Sequence, residues 1–566
     1  MMDTKTKKKG YIWFSLVGIL SMLFTLACSE LTAKGNIIWS LSRILKWVGL
    51  SVVLGILCGA LLFFLVVVWK EKLSGHIKLP GYLIAECSAG RTFGISFGVL
   101  LLCWFPVWLA YYPGICSYDI PVQMTQILTG QYNTHHPLIH TLLMEGFYRL
   151  GNMAGNDNWG IGLYTFLQML VLAGTMAGMI AVWTKWKIKR WQGILLTIYC
   201  ALLPVNSYMS ITTTKDVFFA IFVLWFFGGI YVYLNKEEKC TKIVHSLLIV
   251  ATAGVYLFRN NGKYALAITL GVLVIILLWN AVKRRKLRKW MGLLADVSIG
   301  LVAGCMVAAC LAKGLNAIPG DKREMLSMPI QQLARTMVYH GGAGVLPEDD
   351  NTMENQDKEL IKELFLNESY KYYRPEISDP VKRHTNTYVV RYRTSEFVRT
   401  YLNLLKEYPG DFVNAALEVN AGWFSLTDIS HATINQFEIK EGFGYIQTNW
   451  SRELGETKLY QDSKWPWLRE KMNSFADNNT YLQIPLLRYL VAPGMYLWGY
   501  LLLAIWLFLH KKFSDLLPFT WIMGYYGTLI LGPTVQMRYL YPLMIAFPFF
   551  LIYVGKQTGN VKSEGV

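Results

Sequence analysis

The feature that most constrains this chain is the recurrence of long apolar segments separated by short polar connections. A helix needs about 20 mainly apolar residues to cross a membrane, and only elements that satisfy their own backbone groups can do so. Hydrophobic residues make up 54% of the 566. The sequence therefore predicts an all-α integral membrane protein with about twelve transmembrane helices, near 11–28, 47–69, 93–111, 159–183, 192–208, 217–234, 243–258, 264–282, 291–312, 490–509, 516–533 and 539–555.

The distribution of lysine and arginine predicts how these helices are oriented. Short loops on the cytoplasmic side of membrane proteins are rich in basic residues. If the N-terminus is cytoplasmic, the segments on that side hold 25 of the 54 basic residues, and the short outer loops hold only eight. We therefore expect a multi-pass protein of the cell membrane, with both termini in the cytoplasm and residues 314–489 outside.

The formal net charge of +17 does not indicate nucleic-acid binding. The largest polar segment, 314–489, holds 20 Lys and Arg residues against 24 Asp and Glu residues, so it is slightly acidic. The excess positive charge lies in the predicted cytoplasmic loops, where it faces anionic lipid headgroups. We therefore exclude nucleic acid as a partner and expect membrane lipids instead.

The spacing of the apolar segments divides the chain into four parts. Residues 1–92 hold two transmembrane helices, and residues 93–313 hold seven closely spaced ones with a long first outer loop at 112–158. Residues 314–489 form a mainly helical extracytoplasmic domain. Residues 490–566 hold three transmembrane helices and a short cytoplasmic tail.

Loop 112–158 contains the best candidate for a catalytic residue. Asp119 lies shortly beyond the end of a predicted helix, so we expect it near the bilayer surface. A carboxylate there can accept a proton from the hydroxyl or amine of an acceptor. Asp is also a preferred N-cap residue, and a helix is predicted at Ile120–Leu128. Spacing alone leaves both interpretations of Asp119 open.

Three histidines follow in the same loop: His135, His136 and His140. Imidazoles bind metal ions and polar substrates. An equally good interpretation is that these side chains only form hydrogen bonds with the backbone of the loop. The sequence does not decide between the two.

Four of the eight basic residues in the short outer loops flank helix ends: Lys215, Arg259, Lys263 and Arg538. Cations in such positions suit the binding of a phosphate group. The alternative is that these side chains extend to the lipid headgroups and anchor the helices. Asp216 follows Lys215 directly, and this pair also fits an ordinary solvated helix end.

Several short motifs occur in an order that resembles the GT-C superfamily of polytopic glycosyltransferases, which use polyprenyl-phosphate sugars. The likeness is closest to a group of Gram-positive membrane proteins and extends over about residues 93–555. The matching residues are Tyr112-Pro-Gly, Asp119, Gln123, His136-Pro137, Lys215-Asp216, Arg259-Asn260-Asn261-Gly262, Pro329-Ile-Gln-Gln-Leu-Ala-Arg335 and Arg538-Tyr539-Leu-Tyr-Pro542. Two features depart from the superfamily: two additional helices precede the loop, and the loop lacks the adjacent acidic pair of some members.

The resemblance implies a membrane glycosyltransferase that moves a sugar from a polyprenyl-phosphate donor to a glycan or lipid acceptor of the cell envelope. It matches Asp119 to the catalytic base, and a single base without a covalent nucleophile implies inversion at the anomeric carbon. The resemblance does not specify a cofactor, and it leaves open whether the reaction needs a divalent metal ion. The residues expected to bind the substrate are His135, His136, Lys215, Asp216, Arg259, Asn260, Lys263, Gln331, Arg335, Arg538 and Tyr539.

Three other functions fit the same pattern. A transporter or flippase of envelope lipids would also have about twelve helices, but transporters usually show internal repeats and sites at mid-membrane, whereas the helices here divide as nine and three. A polysaccharide polymerase or ligase would share the lipid-linked substrate and join whole oligosaccharides. An envelope assembly factor would use the outer domain only to bind a partner.

Overall fold

The computed structural model describes residues 4–37, 39–65, 80–86, 88–116, 119–184, 188–235, 242–283, 287–339, 355–427, 459–460 and 462–559. This part of the chain is mainly helical. Its α-helices are α1 (Thr4–Lys34), α2 (Leu41–Phe63), α3 (Gly81–Ile84), α4 (Ala89–Ala110), α5 (Ile120–Thr129), α6 (Leu138–Met153), α7 (Asp157–Thr184), α8 (Arg190–Leu202), α9 (Pro204–Ile211), α10 (Lys215–Asn235), α11 (Lys242–Phe258), α12 (Asn260–Val282), α13 (Arg288–Gly314), α14 (Ser327–Tyr339), α15 (Asn355–Leu364), α16 (Asp379–His384), α17 (Thr387–Tyr392), α18 (Thr394–Glu407), α19 (Pro409–Phe424), α20 (Pro466–Asp477), α21 (Thr480–Gln483), α22 (Pro485–Leu490), α23 (Pro493–Leu509), α24 (Leu517–Ile530) and α25 (Met537–Gly559). Shorter elements are the 3₁₀ helices Lys322–Leu326, Leu366–Tyr372 and Phe513–Leu516 and the strands β1 (Ile115–Cys116) and β2 (Thr212–Thr213).

Eight of the described helices are long and apolar enough to cross a membrane: α1, α2, α4, α7, α10, α12, α13 and α25. A ninth span results if α8 and α9, which meet at a bend of 57°, are counted together. The protein is therefore an all-α, multi-pass membrane protein. The prediction of twelve spans is not confirmed, because α11 and α23 have only 17 residues each and α24 has 14.

Glycines allow the first two helices to approach closely. A Cβ atom on Gly18 of α1 would lie 2.4 Å from the carbonyl oxygen of Gly55 in α2. One on Gly59 would lie 2.6 Å from the Cα atom of Ser15. Glycines four residues apart commonly permit such contact between membrane helices. The hairpin α1–α2 is therefore held by direct packing of the two backbones.

Helices α10 and α25 form the centre of the bundle. They are the most buried of the eight long apolar helices, and their aromatic rings pack on one another, as Tyr231 does on Tyr553 at 3.8 Å. A helix that is apolar on all sides is typical of such an enclosed position. Because the first turns of both helices lie at the same end of the bundle, they can supply neighbouring polar side chains.

The polar segment forms a helical domain with its own core. Helices α14, α15, α17 and α18 contribute buried apolar side chains to it, among them Leu333, Leu360, Val389 and Phe397. Helix α19 then packs against α1 and α23 and so connects the domain to the apolar helices. Residues 340–354, 428–458 and 461 of the predicted domain lie outside the described residues.

A buried arginine fixes this domain to the first helical hairpin. Arg335 of α14 is fully buried, and its guanidinium contacts Glu418 of α19. The same guanidinium donates to the backbone oxygen of Gly35 at 3.1 Å and to the Asn36 side chain at 3.2 Å. The Asn414 amide donates to Asn36 at 2.9 Å. The connection between α1 and α2 is thereby held against the polar domain.

Candidate functional site

A short pairing of two strands brings the first two site residues together. β1 and β2 are parallel, with Ile115 opposite Thr212. Asp119 lies three residues beyond β1, and Lys215 opens α10 two residues beyond β2. The buried Gln168 amide donates to the backbone oxygen of Thr212 at 2.8 Å and holds β2 in place. Asp119 and Lys215, which are far apart in the sequence, therefore lie side by side.

Asp119 occupies the position before α5, but its side chain does not cap that helix. The carboxylate instead contacts the Lys215 ammonium and lies 3.2 Å from Nη1 of Arg538. Burial alone would raise the pKa of Asp119, but the Arg538 and Lys215 cations outweigh burial and hold that pKa well below its usual value. Asp119 is therefore an ionised carboxylate, with 14% of its side chain exposed. The capping interpretation of this residue was wrong.

A second carboxylate, Asp216, holds two arginines beside the first. It is fully buried in the first turn of α10, where it contacts Arg259 and lies 3.9 Å from Nε of Arg538. The Thr214 hydroxyl donates to the same carboxylate at 3.1 Å. Charges therefore alternate along a row that we call the charged ladder: Lys215, Asp119, Arg538, Asp216 and Arg259.

Arg259 reaches the ladder because it alone separates α11 from α12. Its backbone is extended, with φ −155° and ψ 128°, and α12 begins at Asn260. A Cβ atom on Gly262 would lie 2.4 Å from the backbone oxygen of Val255, so a glycine is needed for this sharp change of direction. The ring centre of Tyr539 lies 4.3 Å from Cζ of Arg259, a cation–π contact. The guanidinium is thus fixed by a carboxylate and by an aromatic ring.

Arg538 connects the two carboxylates of the ladder. It lies in the first turn of α25, and its side chain is only 5% exposed. Its Nε atom donates to Oε1 of Gln536 at 2.7 Å, which orients the guanidinium. Asp119 and Asp216 approach different atoms of the same planar group. Arg538 therefore occupies the middle of the ladder.

Two of the three loop histidines lie beside the ladder. The Nδ1 atom of His136 is 3.4 Å from the Lys215 ammonium and 3.9 Å from the Asp119 carboxylate. Burial and then the Lys215 charge lower the pKa of His136 to about 3, so this imidazole is neutral at physiological pH. The His135 ring packs edge to face on it at 4.5 Å. A neutral His136 can donate a hydrogen bond to a ligand or accept one from it without adding charge to the site.

His140 has a different environment. It is fully buried, and its two ring nitrogens contact the side chains of Gln123 and Tyr164. Within the described ranges, no group of three or more His, Cys, Asp or Glu side chains is arranged to hold a metal ion. The described residues therefore give the metal-binding interpretation of these histidines no support.

The charged ladder borders a cavity of about 1380 Å³. One wall is apolar and belongs mainly to α12 and α24, and some of its side chains, such as Tyr264, Ile268 and Leu531, are exposed. Another wall belongs to the polar domain. The predicted substrate-binding residues that line the cavity are His135, His136, Lys215, Arg259, Asn260, Lys263, Arg538 and Tyr539, together with the predicted base Asp119.

Three predicted substrate-binding residues are not on the cavity surface. Asp216 lies behind the wall, where it holds the two arginines of the ladder. Gln331 and Arg335 lie in α14 and use their side chains for protein contacts, Gln331 with the backbone oxygen of Arg374 and Arg335 with Glu418. The structure does not bring these two α14 residues to the site.

Several cavity residues were not predicted from the sequence. Gln536 lies two residues before Arg538, so its closeness in sequence was an available signal. Asp321, Glu324, Asp379, Lys382 and Arg383 come from the polar domain. Charged residues are common throughout that segment, and no contrast in sequence distinguishes these five.

Comparisons with known proteins give a family and no activity. Residues 99–565 match a family described as a family of unknown function, DUF6020. No curated protein and no solved structure matches the chain. The matched residues include the whole charged ladder and begin after the hairpin α1–α2. Because the match covers most of its length, the chain belongs to the DUF6020 family.

Proposed function

We propose that this protein is a membrane glycosyltransferase that moves a sugar from a polyprenyl-phosphate donor to a glycan or lipid acceptor of the cell envelope. The observation that carries the proposal is the position of Asp119. It is an ionised carboxylate that contacts two cations at the wall of a large cavity. Such a group can serve as a base next to a site for an anion.

The cations of the ladder suit the phosphate of the donor. Lys215, Arg259 and Arg538 all line the cavity, and the two guanidiniums are held in fixed orientations by Asp216. Arginine matches phosphate oxygens with two parallel donors. Preorganised donors of this kind stabilise the charge that develops on a departing phosphate. The ladder would therefore bind the donor and assist its leaving group.

The reaction needs one proton transfer and one exchange of bonds at the anomeric carbon. The bond between that carbon and the phosphate oxygen breaks, and its electron pair leaves with the polyprenyl phosphate. An acceptor hydroxyl forms the new bond to the same carbon, and Asp119 takes its proton. Attack from the face opposite the phosphate inverts the configuration at this carbon.

The ladder also explains how a carboxylate of low pKa could act as a base. In the resting site, Lys215 and Arg538 stabilise the charge of Asp119, which makes it a weak base. A phosphate group at the same cations would share their charge and repel the carboxylate. The proton affinity of Asp119 would then rise when the donor binds. Donor binding would thereby activate the base.

The apolar wall of the cavity suits the lipid part of the donor. Tyr264, Ile268 and Leu531 line the cavity and are exposed, so an apolar chain that enters from the bilayer could pack on them. In this proposal, twelve segments cross the membrane and both termini are cytoplasmic. The cavity then opens on the extracytoplasmic side, as the distribution of basic residues predicts.

Purified protein in lipid nanodiscs tests this proposal. The substrates are a panel of polyprenyl-phosphate hexoses and pentoses together with a mixture of envelope glycans and lipids as acceptors, and mass spectrometry measures release of polyprenyl phosphate. We expect release by the wild type and not by Asp119→Asn. Full activity of the variant, or no release with any donor, would contradict the proposal. Movement of intact labelled lipid between vesicle leaflets, without cleavage, would favour the flippase instead.

A further inference from the structure

The polar-domain wall of the cavity is built around a buried lysine. Lys382 of α16 has only 6% of its side chain exposed. Its ammonium lies 2.6 Å from Oε2 of Glu324, 2.7 Å from Oδ1 of Asp379 and 3.4 Å from the Ser327 hydroxyl. Burial alone would lower the pKa of Lys382, but the two carboxylates outweigh burial and raise it. A charged lysine therefore holds both carboxylates in place.

These two carboxylates remain accessible from the cavity. The Glu324 side chain is 33% exposed and that of Asp379 is 38% exposed, and both line the cavity. Lys382 occupies one oxygen of each, so the other oxygen can accept hydrogen bonds from a ligand. Their orientation is set by the protein before any ligand arrives. Such preorganisation lowers the entropy cost of binding.

Backbone contacts fix this wall relative to the charged ladder. Ile377 forms an antiparallel bridge with Thr534, and the Ser378 amide donates to the backbone oxygen of Pro533 at 2.9 Å. These contacts lie directly before Asp379 on one side and a few residues before Arg538 on the other. Asp379 and the ladder therefore belong to two parts of one cavity lining that are joined by backbone contacts.

The two walls differ in charge. On the ladder side, the cations Lys215, Arg259, Lys263 and Arg538 outnumber the carboxylates Asp119 and Asp216. On the polar-domain side, the carboxylates Asp321, Glu324 and Asp379 are balanced by the cations Lys382, Arg383 and Arg323, the last of which lies 3.5 Å from Asp321. A ligand group with negative charge is therefore favoured on the ladder side and gains no net attraction on the polar-domain side. Oriented carboxylates favour a group with several hydroxyl donors.

We propose that Glu324 and Asp379, oriented by Lys382, bind the acceptor, and that the acceptor is an uncharged polyhydroxylated group such as the terminal sugar of a neutral glycan. This inference rests on the proposed function. The acceptor would lie between the two walls, with one hydroxyl turned toward Asp119 and others bonded to the two carboxylates. Glu324 and Asp379 then determine specificity, and Lys382 is a positioning residue.

The test compares Glu324→Gln/Asp379→Asn with the control Glu359→Gln/Glu407→Gln, which removes the same charge from exposed sites on α15 and α18. Full-length protein in nanodiscs receives a donor that the wild type cleaves. The added acceptors are neutral oligosaccharides such as maltotriose, and poly(glycerol phosphate) as an anionic polymer. The measurements are the acceptor KM, the donor KM and the thermal shift on adding polyprenyl phosphate.

We expect a neutral oligosaccharide to accelerate release of polyprenyl phosphate by the wild type. The cavity variant should raise the KM for that acceptor by about 10- to 100-fold, the effect of losing hydrogen bonds to charged groups. Its donor KM and its thermal shift should match those of the control, which also shows that the variant is folded. An unchanged acceptor KM, or stronger acceleration by the anionic polymer, would overturn the inference. Failure of the proposed function would differ, because the wild type would then cleave no donor.

Discussion

Replacement of Asp119 by asparagine tests the proposed chemistry most directly. The asparagine keeps the shape of the side chain and an acceptor oxygen but removes the charge and the ability to take a proton. Loss of a general base typically lowers the rate by about 10²- to 10⁴-fold, which is roughly 3–5 kcal/mol of activation free energy. We therefore expect kcat to fall by that factor.

Donor binding should change in the opposite direction. Asp119 lies 3.2 Å from Nη1 of Arg538 and also contacts Lys215, so a phosphate bound to the same cations would lie near its carboxylate. At a distance of about 5 Å and an effective dielectric constant of about 20, two unit charges repel by roughly 3 kcal/mol. The variant should thus bind polyprenyl phosphate up to about 100-fold more tightly.

The two effects are measured by release of polyprenyl phosphate and by titration of the protein with polyprenyl phosphate in nanodiscs. Asp477→Asn, at an exposed position at the end of α20, is the matched control and should change neither value. A fall in kcat together with weaker donor binding would indicate general damage to the site. That combination would contradict the proposed role of Asp119 as the base, as would an unchanged kcat.

The pH dependence of stability provides an independent check of the same residue. The pKa of Asp119 is lowered in the folded state, so its ion pairs contribute fully at pH values above the usual aspartate pKa of about 4. Their contribution is lost only as the pH falls through the lower folded value. The difference in Tm between wild type and Asp119→Asn should therefore stay constant from about pH 8 to pH 5. A difference that shrinks within this window would show that the Asp119 pKa is not lowered.

Three further predictions concern the same bundle. Arg538→Lys should raise the donor KM about tenfold or more, because a lysine ammonium cannot contact Asp119, Asp216 and a phosphate at once as the planar guanidinium does. An unchanged donor KM would exclude Arg538 from donor binding. The acid limb of the kcat profile should lie at a higher pH than that of kcat/KM, because a bound phosphate raises the pKa of Asp119; coinciding limbs would contradict activation by the donor. Gly55→Ala should lower the free energy of unfolding by about 1–3 kcal/mol and lower Tm, because its Cβ atom would lie 2.3 Å from a backbone nitrogen of α1 and overpack the hairpin. The control Gly49→Ala, on the same helix, places its Cβ atom near no other atom and should leave Tm unchanged.

The sequence could predict the ladder because its members stand out against their surroundings. Lys215, Arg259 and Arg538 are cations at the ends of apolar segments, where charge is costly unless it is paired or used. Asp119 lies in a loop with few charges. The same reasoning could not predict their partners, because Asp119 and Arg538 lie more than 400 residues apart and only the packing of α10 against α25 brings them together.

The sequence was least informative about site residues in the polar domain. Arg335 looks like a ligand-binding residue in sequence, but its partner is the buried Glu418 on another helix. Lys382 and Asp379 belong to an ordinary run of charged residues and yet form a cavity wall. Where charged residues are common, the sequence does not show which of them are buried, since burial depends on contacts between distant helices. Helix length was overestimated at 516–533, because the helix α24 covers 14 residues and ends at Ile530, shortly before Gly532 and Pro533.

The contact between Arg335 and the connection after α1 has a practical consequence for making shorter versions of the protein. Because the family match begins at residue 99, a shortened protein could be designed to start there. Such a truncation would take away Gly35 and Asn36, and the guanidinium that now donates to them would lose two of its acceptors. It would also uncover the face of α19 that packs on α1. Expression trials should therefore retain the first hairpin, or replace Arg335 and Glu418 together by apolar residues of similar size.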